Sequence, residues 1–216
     1  MSAPRTIMLA FTGASGMPYG LRLLECLLAA DVRVWLAYTP AAQIVAKQEC
    51  DLVLPAQPRE ATRLLGSRFG ARDGGLTVFG NDDWNAPVAS GSNPADAMAI
   101  CPCTMGALAA IAGGLADNLI ERAADVMLKE RRALVLVPRE TPLSAIHLEN
   151  LLKLARAGAA IVPPIPGFYG HPESIADLVD FVVARVLDQL GVPHRLGPRW
   201  GERRSEAPGL PDSRPA

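Results

Sequence analysis

Short apolar runs alternate along this chain with longer stretches in which apolar residues recur every three or four positions. That alternation predicts parallel strands joined by helices. The runs at 6–11, 33–38, 76–79, 97–101, 133–137 and 160–162 predict strands, those at 6–11 and 133–137 deeply buried. Pro18 opens the first helix, in a first turn where its missing N–H is harmless, and Leu21, Leu24 and Leu28 form its stripe. Helical spacing continues at 41–49, 105–112, 119–131 and 142–157, and at 173–190 with Ile175, Leu178, Val182 and Val186 facing inward. Residues 80–94, rich in Gly, Asn, Asp, Ser and Pro, predict a long functional loop. Beyond His194 the chain turns polar and rich in Pro and Arg. The pattern predicts one doubly wound, three-layer α/β domain with a mainly parallel sheet over residues 1–192, and an extended arm over 193–216.

Composition narrows the function. A chain of 216 residues, half of them hydrophobic, holds one sizeable core. A net charge of −1 gives no electrostatic footprint for nucleic acid. The lysines are Lys47, Lys129 and Lys153 alone, and every other side-chain cation but histidine is arginine. Arginine suits planar recognition of oxyanions, although a GC-rich genome produces the same bias. The apolar run 7–11 is too short for a signal sequence and nothing approaches the ~20 apolar residues of a membrane span, so a cytoplasmic protein is expected. Cys26, Cys50, Cys101 and Cys103 form no CxxC pair and have no His cluster, which predicts reduced thiols and no metal site. Cys101 and Cys103, two apart, are expected to share a strand face. No His precedes His147, which excludes a His-based acid from the first half, and no DDxxD motif supplies metal–diphosphate chemistry.

Four segments carry candidate chemistry. Thr12-Gly13-Ala14-Ser15-Gly16 links the first strand to its helix, where exposed N–H groups and the helix dipole attract an anion. Ser15 adds a hydroxyl, and Gly16 and Gly20 permit close approach. The motif is not GxGxxG, and the second strand ends Tyr38-Thr39-Pro40 without the acid that holds a ribose, so a mononucleotide fits better than a dinucleotide. A tight turn with glycines for packing explains this motif equally well. Cys101–Ala107 repeats the arrangement at another strand end, with Thr104 as helix cap. Arg122 and Lys129, seven apart, share a helix face ~10 Å long, ahead of Arg139-Glu140 at the next strand end. A proline-stiffened loop holds Phe168-Tyr169, and Arg185, among apolar neighbours, needs an anionic partner from either the protein or a ligand. Trp84 either covers an apolar ligand or anchors its loop.

TGASGMPYG at 12–20, CPCTMGALAAIAGG at 101–114, RAADVMLKERRALVLVPRETPL at 122–143 and the block at 163–192 together resemble the UbiX-like flavin prenyltransferases, over about residues 6–192. The resemblance implies a flavodoxin-like fold and an enzyme that alkylates reduced FMN with dimethylallyl monophosphate, without metal. The product, prenylated FMN, would serve a UbiD-type decarboxylase in ubiquinone biosynthesis or aromatic-acid breakdown. It also implies trimers assembled into a dodecamer, with sites between subunits. Gly13, Ala14, Ser15, Thr39, Thr104, Met105, Gly106, Ala107 and Arg139 fall at flavin-binding positions, Thr39 where the family usually has Ser. Tyr169 and Arg185 match binders of the dimethylallyl phosphate, with Lys129 reaching in from a neighbouring subunit. Ser15, Glu49, Arg122, Lys129 and Glu140 fall at catalytic positions.

The residue types suit that chemistry. Arg and Lys donors stabilise charge growing on a departing phosphate. Trp84 or Trp200 offers a ring face to an allylic cation, and Glu140 or the phosphate itself takes the proton lost on ring closure. Two other readings are a flavin-dependent cysteine decarboxylase, whose early His and PxMNxxMW motif are absent, and a non-catalytic FMN carrier. A third, direct decarboxylation of an aromatic acid, calls for assay of the pure chain without a partner.

Overall fold

A computed structural model describes residues 5–197. Strands Thr6–Phe11 (β1), Arg33–Tyr38 (β2), Leu76–Val78 (β3), Ala97–Cys103 (β4), Ala133–Pro138 (β5) and Ala160–Ile161 (β6) form one sheet in the order β3-β2-β1-β4-β5-β6. Every pairing is parallel. Without the three-residue edge strand β3, the order is that of flavodoxin-like sheets. The winding reverses between β1 and β4, which places a ligand crevice beyond their carboxyl ends.

Among the described residues seven α-helices cover the two faces: Met17–Ala29 (α1), Pro40–Cys50 (α2), Pro58–Arg68 (α3), Met105–Gly113 (α4), Leu119–Lys129 (α5), Ala145–Arg156 (α6) and Ile175–Leu190 (α7). β1 is buried throughout and sends Ile7, Leu9 and Phe11 into one core, with α1, α2, α3 and α7. Met8 and Ala10 enter the other, with α4, α5 and α6. Burial on both faces explains why this strand reads as an unbroken apolar run. At Gly20 a side chain would strike the Cys101 carbonyl oxygen, so glycine lets α1 lie directly on β4.

Several expectations are corrected. Cys101 and Cys103 lie in opposite cores, because the register slips between Ile100 and Cys103 and a one-residue slip reverses the face. Ile175 is 79% exposed in the first turn of α7, and the inward stripe runs through Val182, Val183, Val186, Leu187 and Leu190. Helix α6 begins at Ala145 rather than 142, since Ser144 caps it in a reciprocal box with His147. Helix α3 has no counterpart in the pattern analysis, because it buries only Ala61 and Leu65 among polar residues. The loop at 80–94 contains one short 3-10 turn, Pro87–Ala89. Residues 192–197 have no regular structure but remain attached, with Leu196 packed on the first core. Among the described residues no helix is long and apolar enough to cross a membrane.

Candidate functional site

Thr12, at the end of β1, is almost wholly buried. Its hydroxyl donates to the Pro102 carbonyl at 2.9 Å and accepts from the Thr104 N–H at 2.7 Å. One side chain thus ties the β1–α1 turn to the β4–α4 turn and satisfies two backbone groups. Beside it lies a hollow of about 220 Å³, lined in part by Thr12, Gly13, Ala107 and Glu121 and by Thr39, Thr104 and Asn118. The last three are the N-caps of α2, α4 and α5, and each accepts from its own first turn: Ala42 N at 3.2 Å, Ala107 N at 3.1 Å and Glu121 N at 3.1 Å. Three helix N-termini therefore converge on one pocket at the carboxyl edge of the sheet. The first-turn N–H groups that these caps leave free favour an anion of phosphate size, against the opposing carboxylate of Glu121 on the same wall. A side chain at Gly13 would collide with the Ala41 side chain, so glycine allows the start of α2 to close on the turn.

The N-terminus of α1 behaves differently. Glu49, near the end of α2, accepts from Gly16 N at 2.9 Å and Met17 N at 2.8 Å. The anion expected from the dipole of α1 is therefore this internal carboxylate, and the N–H groups open to an external anion are those at the other three helices. Burial pushes the Glu49 carboxyl up, but the Ser15 hydroxyl, the two N–H groups and the nearby Arg139 charge outweigh it, so its pKa is lowered. Arg139 at the end of β5 donates to the Ser15 carbonyl at 3.2 Å. Ser15, Glu49 and Arg139 thus meet at one lip of the crevice. Glu140, next along, is exposed and accepts from Thr141 N at 3.1 Å. Of the second loop, Met105 is buried while Gly106 is exposed.

Tyr169 and Arg185 come together in a cavity of about 770 Å³ between the loop 167–173, α7 and residues 194–197. The Tyr169 ring stands edge-on to Phe181, centroids 5.6 Å apart. Arg185 is not embedded among apolar neighbours: its side chain is 54% exposed and pairs with Asp188 at 2.6 Å.

Arg122 and Lys129 serve elsewhere in this subunit. Arg122 donates to the Ala89 carbonyl at 3.0 Å and pairs with Asp125 at 2.6 Å, which holds the loop containing Trp84. Lys129 pairs with Glu130 beside Gly91 of the same loop. Helix α5 starts at the phosphate-sized pocket with Asn118 and runs 11 residues, ~16 Å, to Lys129 just before β5 begins. Lys129 and Arg139 of one subunit therefore sit at opposite edges of the sheet. Trp84 is half-exposed, and Trp200 lies outside the described residues. No three His, Cys, Asp or Glu side chains among the described residues cluster as metal ligands would.

Sequence reasoning passed over the latch role of Thr12 and the place of Glu121 in the pocket, and did not single out Asn118 or Asp188. Asn118 and Glu121 carried a readable signal, the N-x-x-E spacing of a helix start. Thr12 and Asp188 acquire their roles only from partners distant in the chain or from the cavity.

Comparison with known proteins places the chain in a family. The flavoprotein family model matches residues 1–187. The flavin prenyltransferase UbiX of Pseudomonas aeruginosa is 57% identical over 203 residues, 94% of this chain and 97% of its own. A crystal structure of a UbiX protein in complex with FMN and dimethylallyl pyrophosphate superposes with a TM-score of 0.83 at 43% identity, covering 94% of this chain and all of the other. A dodecameric FMN-dependent UbiX-like decarboxylase from Escherichia coli gives 0.80 at 42% identity over 91% of this chain and 100% of that one. The chain belongs to the flavoprotein family and, within it, to the UbiX-like flavin prenyltransferases.

Proposed function

We propose that this protein transfers a dimethylallyl group from dimethylallyl monophosphate to the N5 and C6 atoms of reduced FMN, as substrates, and releases prenylated FMN to a UbiD-type decarboxylase. The observation that carries the reading is the pocket where the N-caps Thr39, Thr104 and Asn118 converge, beside the Ser15–Glu49–Arg139 lip. A pocket of about 220 Å³ suits one phosphate, and its neighbour Gly13 packs against Ala41 where a dinucleotide would need further room.

In this reading Gly13, Ala14, Thr39 and the Thr104–Ala107 segment hold the flavin phosphate and ribityl chain. Arg139 and Ser15 flank the ring, with Glu49 fixing the turn that carries Ser15. Tyr169 and Arg185 hold the donor phosphate, Lys129 completes that site from a neighbouring subunit, consistent with the position of Lys129 at the far sheet edge, and Arg122 belongs to the catalytic set. Arg and Lys donors aimed at the leaving phosphate stabilise the charge that develops as the carbon–oxygen bond breaks. Alkylation of N5 expels phosphate and releases the N5 proton. Protonation of the remaining double bond then makes the tertiary cation that C6 attacks, and Glu140, exposed beside Arg139, or the released phosphate supplies that proton and accepts the one lost from C6. Trp84 offers an aromatic face to the allylic group. The assembly is a dodecamer built from trimers, a reading supported by the dodecameric relative.

The monophosphate is favoured over the diphosphate because the donors are cationic side chains rather than paired carboxylates suited to a metal-bound diphosphate. Incubating the protein with reduced FMN and each dimethylallyl ester in turn, then weighing the flavin, tests the reading. An isoprenyl mass gain is expected with the monophosphate. No gain with either ester overturns it, and loss of carboxylate from an aromatic acid by the pure chain would favour direct decarboxylation.

A further inference from the structure

Asp188 divides its two oxygens across the wall of the Tyr169–Arg185 cavity. One accepts from Arg185 Nη1 at 2.6 Å and the other meets His194 Nε2 at 3.1 Å. The His194 side chain is 7% exposed, and its Nδ1 faces the Leu196 N–H at 3.2 Å. A backbone N–H can only donate, so Nδ1 is the acceptor, and the ring proton sits on Nε2 and donates to Asp188. All three side chains line the cavity with Tyr169.

We propose that His194 and Asp188 are positioning residues for the donor phosphate and act through Arg185, an inference that rests on the reading of Arg185 as its ligand. An Arg–Asp pair three residues apart on an exposed helix face is by itself loose and weak. Here the carboxylate is anchored from its other side by a buried ring whose tautomer is fixed by the backbone. The anchored carboxylate holds Nη1 and so orients the guanidinium plane, leaving its other N–H donors to face an oxyanion in fork geometry. Orientation set before binding removes part of the ordering cost that the substrate would otherwise bear.

Steady-state kinetics with dimethylallyl monophosphate varied at saturating reduced FMN, alongside FMN affinity and thermal midpoint, test this in R185A, D188N, H194A and H194Q. H194A and D188N are expected to raise the donor KM about tenfold, with kcat changed less and FMN affinity within about twofold. H194Q, whose amide N–H can still donate to Asp188, is expected to recover most of the loss. If R185A leaves the donor KM unchanged, Arg185 is not the phosphate ligand and the inference falls with that reading. If R185A raises KM while H194A and D188N leave it within about twofold, the relay alone is overturned. Parallel loss of FMN affinity and thermal stability in H194A, without rescue by H194Q, shows a merely structural role and overturns it too.

Discussion

Replacing Glu49 separates the parts played by charge and by hydrogen bonding at the head of α1. The carboxylate accepts two backbone N–H bonds, at 2.9 and 2.8 Å, where the helix dipole is positive. A negative charge there contributes about 0.3–1 kcal/mol when exposed, and full loss of a capping acceptor costs about 0.5–2 kcal/mol. Glu49 is largely solvent-accessible, so screening holds the charge contribution to the lower part of that range. E49Q keeps an oxygen acceptor and is expected to lose about 0.5 kcal/mol, whereas E49A is expected to lose about 1–1.5 kcal/mol. For a chain of this size 1 kcal/mol corresponds to roughly 2–4 °C in Tm. The sign of the pH dependence follows from a folded pKa lowered below that of the unfolded chain. Stabilisation is complete above the unfolded value of about 4.3 and disappears as pH falls through the lower folded value. Thermal unfolding of the flavin-free protein at one protomer concentration, stepped from pH 7 to about 3, should show the gap between wild type and E49Q closing with acid. A gap that stays constant over that range, or an E49Q protein as stable as wild type at pH 7, would refute the electrostatic argument.

T12V keeps the buried shape but strands the Thr104 N–H and leaves the Pro102 carbonyl with the Thr12 N–H alone; denaturant unfolding should show a loss of about 1–2 kcal/mol, and flavin fluorescence titration a weaker FMN complex. G13A forces the new methyl group against Ala41 and should weaken FMN binding by about tenfold or more, read in the same titration. K129A and R185A subunits, each inactive alone, should regain turnover when co-assembled if Lys129 acts across a subunit boundary, and continued inactivity of the mixture would place both residues in one subunit's site. All four thiols are pushed up chiefly by burial, Cys103 to about 12 and Cys26 to about 11, so a thiol reagent at pH 8 should label the native protein slowly and the unfolded protein fast.

Strands buried on both faces, proline-opened helices and glycine turns at strand ends are local patterns. The sequence therefore determined by itself the alternating α/β order, the starts of all six strands, the buried leucine stripe of α1 and the turns at Gly13 and Thr104. It also carried the family's long motif blocks, from which the flavin and the allylic donor were read. Helix α3 escaped because two small buried contacts leave almost no periodicity among polar residues. The exposure of Ile175 escaped because an apolar residue in a first helical turn looks the same whether or not anything lies opposite it. The different faces of Cys101 and Cys103 required the register slip, which belongs to a pair of strands and not to one. Only the tertiary structure decided that Glu49, 33 residues from Gly16, is the anion at the head of α1, and that the N-caps of α2, α4 and α5 share a pocket. It alone placed Lys129 at the far edge from Arg139. Hydrogen bonds and dipoles act over a few ångströms in space, and sequence separation records nothing of that distance until the chain has folded.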